Sequence, residues 1–192
     1  GGLRKYMPIT WITSLLGSLA LIGFPFLSGF FSKDSIIEAV HASHIPGAGF
    51  AYFAVMAGVF VTAFYSFRMY FLVFHGKERF DQVPHDEHHD DHHDDHHSGT
   101  PHESPWVVTL PLVLLAIPSV IIGFLTIQPM LVGDWFGSAI FIDAAKHPSM
   151  AEFAEKFHGP VAMALHGITT LPFILAMSGV ALSWFFYLKR PD

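Results

Sequence analysis

Four stretches of this chain contain no Asp, Glu, Lys or Arg: Tyr6 to Ser32, Ala39 to Phe67, Ser104 to Gly133 and Phe157 to Leu188, of 27, 29, 30 and 32 residues. A helix crosses a hydrocarbon layer of roughly 30 Å with about 20 residues, so each stretch is long enough to span a bilayer. Only 14 % of the chain is charged, against about 25 % in an ordinary soluble domain. Disorder is excluded for most of the length, because 20 Phe and 4 Trp cannot be left in water. The expected fold is all-α: a polytopic membrane protein with about four transmembrane helices, the first of them discontinuous.

The discontinuity follows from length. Pro8 suits the first turn of a helix, where its missing N–H costs nothing. From there to Val40 are 33 residues, which as one straight helix would measure about 50 Å. Gly23-Phe24-Pro25-Phe26-Leu27-Ser28-Gly29 supplies the interruption. In lipid such a break is tolerated only where protein or a water-filled cavity satisfies the freed backbone groups. Residues 1–40 thus read as a loop and a broken transmembrane helix. Residues 48–75, 106–131 and 161–190 read as three further spans. Between them lie a His/Asp-rich loop at 76–105 and, on the opposite side, a loop at 132–160 expected to form short amphipathic helices.

Directly after the break stands Lys33-Asp34, the one charged pair close to the interior of a span. Two readings are open. The pair marks a membrane exit, with the lysine snorkelling to the interface, or Lys33 faces a bundle interior as a proton or ion site. Arg68 reads as reaching for the nearby interface. Pro111 and Pro118 interrupt the third span, with Trp106 placed as an interfacial aromatic. His166 reads as an interfacial or satisfied histidine.

The net charge of −6 says little about partners, because Glu78 to Glu103 holds nine acids and one Arg. No nucleic-acid partner is implied. With four crossings, Arg4, Lys5, Lys77, Arg79, Lys189 and Arg190 share one side and Lys146 and Lys156 the other. That asymmetry puts both ends and the His-rich loop in the cytoplasm of an integral membrane protein, with a bacterial inner membrane the expected setting. The chain opens Gly-Gly-Leu-Arg-Lys without a signal-peptide layout and reads as a piece of a longer protein.

Cysteine is absent, which removes disulfides, thiolate metal sites and cysteine nucleophiles. The loop from His85 to His97 repeats the unit His-His-Asp-Asp. His88, His89, His92, His93, His96 and His97 are competent zinc, nickel or copper ligands. A dedicated site needs few ligands in fixed geometry with a supporting shell, so metal binding here reads as incidental. Metal-sensing and proton-buffering roles are the alternatives.

Gly2-Leu3-Arg4-Lys5, Ser28-Gly29-Phe30-Phe31-Ser32-Lys33-Asp34 and Phe74-His75-Gly76-Lys77-Glu78 together resemble the subunit L family, the distal antiporter-like membrane-arm subunits of proton-pumping NADH:quinone oxidoreductase. The resemblance runs from Gly1 to the fourth span; the His/Asp insertion and residues 132–159 carry none of it. It implies a C-terminal portion of the antiporter-like core, with Lys33 the terminal proton-relay residue on the second broken helix and Asp34 an auxiliary acid. It also implies no cofactor in this chain, since NADH, flavin, iron–sulfur clusters and quinone belong to other subunits. The implied partners are the other membrane-arm subunits, the neighbouring antiporter-like subunit above all, and the lipid bilayer. The competing readings are a homologous subunit of a multisubunit cation/proton antiporter or membrane-bound hydrogenase, and a metal-ion transporter with a His-rich loop. The last predicts Asp or His pairs at i and i+4 inside the spans, and none is present.

Overall fold

The computed structural model describes residues 1–79, 101–140, 143 and 154–190. Among these the chain is all-α, without a strand. Helix α1 runs Pro8–Ile22, α2 Ser28–His41, α3 Ala48–Tyr70, α4 Trp106–Ile127, α5 Pro160–Gly167 and α6 Leu171–Trp184. Helices α3, α4 and α6 each run on into a wide five-residue turn, giving helical stretches Ala48–His75, Trp106–Val132 and Leu171–Lys189. These three are long and apolar enough to cross a membrane, and α1 is a shorter apolar helix.

The first span is two half-helices. Gly23 at φ 77° closes α1, with its amide bonded to the Ala20 carbonyl and the Phe24 amide bonded to the Leu19 carbonyl at 3.0 Å. This left-handed ending suits glycine, which has no Cβ to clash. Pro25, fully buried, then prevents the helix from resuming at once. Phe26 takes φ 71°, a conformation that costs a non-glycine residue about 1–3 kcal/mol, and α2 starts two residues later.

Small residues let the helices approach. Helix α3 packs chiefly on α6, where a Cβ on Gly179 would come within 2.6 Å of the Phe60 carbonyl oxygen. Ala63 and Ser183 in the same seam are fully buried. Helix α4 lies against α1 and α2. There the Ser28 hydroxyl donates to the Pro118 carbonyl at 2.8 Å and accepts from the Gly123 amide at 3.0 Å. Pro111 and Pro118 sit inside α4 without ending it. Each removes one backbone donor only, and the remaining ladder holds the helix.

The fourth apolar stretch differs from the single helix expected over 161–190. It is split between α5 and α6 at residues 168–170. Pro172 has no N–H to offer the Ile168 carbonyl, and Ile168 closes α5. The Thr169 and Thr170 hydroxyls take up the carbonyls of His166 and Gly167 at 2.8 and 2.7 Å. In the opposite-side loop the structure describes a short turn at Gly137–Ala139 and helical residues at 154–156. The His/Asp repeat, with His88, His89, His92, His93, His96 and His97, lies outside the described residues.

Candidate functional site

The break in the first span creates an electrostatic defect, and Lys33 is placed on it. The Leu21 carbonyl would ordinarily accept from the residue four positions on, which is Pro25 and has no N–H. The Lys33 Nζ, reaching back from the second turn of α2, donates to Leu21 O instead. A cation is favoured there, because the C-terminal end of α1 carries the negative end of its dipole. The lysine stem passes over Gly23, where a Cβ would come within 3.3 Å of Lys33 Cδ. Lys33 is half-buried. With Gly23, Phe30, Asp34, Gly167 and Thr170 it lines a cavity of about 20 Å³, room for a single water.

Asp34 is buried at 6 % exposure and faces a second, larger cavity of about 560 Å³. Its polar and charged lining includes Asp34, Glu38, His41, Tyr52, Lys156 and His166. Asp34, Glu38 and His41 recur at the three- and four-residue spacing that puts them on one face of α2. His166 interacts electrostatically with both Asp34 and Glu38, and Lys156 with Glu38. The cavity lies at the end of the bundle formed by the C-terminus of α2 and the beginnings of α3 and α6. A Cβ on Gly167 would meet the Phe30 ring at 2.4 Å, so the second break is seated directly on α2.

The other end of the bundle is a clasp. Glu78 accepts from Lys5 Nζ at 3.1 Å and from the Tyr6 hydroxyl at 3.4 Å. The Trp11 indole N–H donates to His75 Nε2 at 3.2 Å. Glu103 caps α1: its carboxylate accepts from the Ile9 amide at 2.7 Å and from the Thr10 hydroxyl at 2.6 Å. Desolvation would raise the Glu103 pKa, but hydrogen bonds from the Thr10 side chain and the Ile9, Thr10 and Ser104 amides outweigh it and hold the carboxyl below its ordinary 4.5. A carboxylate at a helix N-terminus also meets the positive end of the dipole.

The structure therefore brings Lys33 and Asp34 together at the break. Arg68 is exposed and lies over the Tyr187 ring at 5.4 Å. His166 is exposed and lines the large cavity. The sequence alone singles out neither Glu38 nor Glu103, and gives His166 no partner. The recurrence from Asp34 to Glu38 to His41 was visible as one helix face, whereas the partners of His166 and Glu103 are far away in the chain. Among the described residues no group of three or more His, Asp or Glu is placed to hold a metal ion.

These features define a polytopic helical membrane protein built around a discontinuous helix. Residues 1–65 match the family model described as NADH:quinone oxidoreductase/Mrp antiporter, TM. Over its whole length the chain is 57 % identical to NADH-quinone oxidoreductase subunit L of Neisseria meningitidis serogroup A. It is 38 % identical to subunit L of Rhodobacter capsulatus over 77 % of the chain. It is 37 % identical to NADH-ubiquinone oxidoreductase chain 5 of Chondrus crispus over 94 % of the chain. The chain belongs to this antiporter-like family of NADH:quinone oxidoreductase membrane subunits. It spans 29 %, 20 % and 25 % of the lengths of those three relatives.

Proposed function

We propose that this chain carries one proton-relay station of an antiporter-like subunit in a proton-translocating NADH:quinone oxidoreductase, and that Lys33 is the residue that takes up and releases the proton. The observation that supports this is the docking of Lys33 on the carbonyl that Pro25 leaves without a donor. An ammonium held by a backbone oxygen and a neighbouring half-helix end has a defined resting place in a membrane interior. Loss of the proton weakens that hold, because the neutral amine no longer answers the dipole. Asp34, next in sequence and buried, is the auxiliary group that receives or guides the proton.

Release is triggered by charge. A second cation brought to about 4 Å is worth about 4 kcal/mol at an effective dielectric near 20, close to three pKa units. The groups that supply it, together with flavin, iron–sulfur clusters, quinone and NADH, belong to other parts of the complex. The partners are the neighbouring membrane-arm subunits, the adjacent antiporter-like subunit above all. The excess of Lys and Arg on the side of residues 1–7 and 76–105 supports a cytoplasmic position for both ends and the His-rich loop, with the large cavity facing the other way.

The test is Lys33→Met in the full-length subunit within the assembled complex, with proton pumping and NADH oxidation measured in inverted membrane vesicles. Loss of pumping in an assembled complex supports the reading, and unaltered pumping overturns it. The family model is shared with Mrp antiporters, which favours cation/proton exchange as the second reading. Sodium-dependent proton movement in vesicles without NADH selects that reading instead.

A further inference from the structure

A series of adjoining cavities continues past Lys33, and residues of the second helix break line it. The cavity of about 20 Å³ beside Lys33 shares Asp34, Thr170 and Pro172 with the cavity of about 560 Å³. That cavity in turn shares Glu38, Lys156 and His166 with a third of about 410 Å³, whose lining adds His158. Exposure rises along this sequence: Asp34 is buried, while Glu38, His166, Lys156 and His158 are solvent-accessible. The two larger cavities have room for water and ionisable groups in their linings that can hold it.

His166 is common to the two large cavities and interacts with both carboxylates of α2. It is held by its backbone. The His166 carbonyl, at the end of α5, accepts from the Thr169 amide at 3.0 Å and from the Thr169 hydroxyl at 2.8 Å. The break thus leaves His166 at the C-terminal, cation-favouring end of a half-helix. Imidazole is the one side chain that ordinarily exchanges protons near neutral pH.

We infer that His166 is a proton-transfer residue: it takes the proton leaving the Lys33–Asp34 station and passes it to the solvent on the side of residues 133–159, flanked by Glu38, His41, Tyr52, Lys156 and His158. The inference rests on the reading of Lys33 as the relay. One N–H bond of the Lys33 ammonium breaks as a bond to Asp34 or water forms, the imidazole becomes imidazolium, and its proton goes to bulk water. Lys33 is left neutral until a proton arrives from within the subunit, and no electron changes hands.

The experiment uses the assembled complex with the full-length subunit carrying His166→Gln, His166→Ala or Lys33→Met, in inverted vesicles, with assembly checked on native gels. His166→Gln keeps the size and a hydrogen bond but cannot titrate. Its expected pumping rate is down on the order of a hundredfold, the low end of what a positioned acid–base group contributes. Added imidazole should restore His166→Ala. Wild-type pumping by His166→Gln alongside a dead Lys33→Met overturns the role of His166 and leaves Lys33 standing. A loss that imidazole does not restore marks a purely structural role and also overturns it. Normal pumping by Lys33→Met removes the underlying reading itself.

Discussion

Gly29→Ala is the sharpest perturbation the break offers. A Cβ there would lie 1.8 Å from the Ala20 carbonyl oxygen and 2.8 Å from its carbon, both backbone atoms of α1. A carbon–oxygen contact settles at roughly 3.4 Å, so the half-helices must part by about 1.6 Å at this point. Lys33 is one turn further along α2 and moves with it, so its bond to the Leu21 carbonyl is lost. The overpacking costs about 1–3 kcal/mol. A displacement near 1 Å at a reacting group costs about a hundredfold in rate. Gly17→Ala is the matched control, because a Cβ at Gly17 meets nothing within 4 Å and alanine gains up to about 1 kcal/mol of helix propensity. Both variants go into the full-length subunit, and dye-reported proton pumping and the thermal midpoint of the complex are measured. Gly29→Ala should assemble with a lower midpoint and pump about a hundredfold more slowly, while Gly17→Ala should match or exceed the parent. Equal pumping by the two would refute the claim that the contact of α1 with α2 positions the lysine.

Glu103→Ala should lower stability by about 0.5–1 kcal/mol, the low end for a lost helix cap because the carboxylate is partly in solvent. The folded carboxyl titrates below its ordinary 4.5, so this advantage is complete above pH 4.5 and fades as pH falls through the lower folded value. Thermal midpoints of parent and variant should converge on acidification, and a widening gap would contradict the cap. Ser183→Ala removes a fully buried hydroxyl that has no hydrogen-bond partner among the described residues, so it should leave stability unchanged or raise it by up to about 1 kcal/mol. A clear loss in a urea or thermal titration would reveal a bond across the seam of α3 and α6. Deleting Pro84 to His97 should leave pumping intact in vesicles, and a loss would give the histidine repeat a role.

The all-α architecture was legible because charge-free runs of this length have few other fates, and the discontinuity of the first span because Gly23 and Pro25 together are a helix stop. The second discontinuity was also written in the chain, in Thr169, Thr170 and Pro172, but a proline near the start of a helix is ordinary and only packing on Phe30 makes the break decisive. Glu103 could not be read as a cap, because its partners are 93 and 94 residues away. For His166 the chain gives a side chain and no neighbours, and its meaning depends on where the α2 carboxylates fall. The strings around Lys5 and Glu78 carry a resemblance to one family, and the fold brings them into contact.

Glu78 and Glu103 stand on either side of the acidic tract, and both are fastened near the start of α1, one on Lys5 and Tyr6 just before it, the other on Ile9 and Thr10 in its first turn. Whatever lies between them begins and finishes at neighbouring points of a fixed frame. Doubling the length of such an excursion adds only about 0.6 kcal/mol of closure entropy. Residues can therefore be gained or shed in that interval while the bundle beneath it keeps its shape.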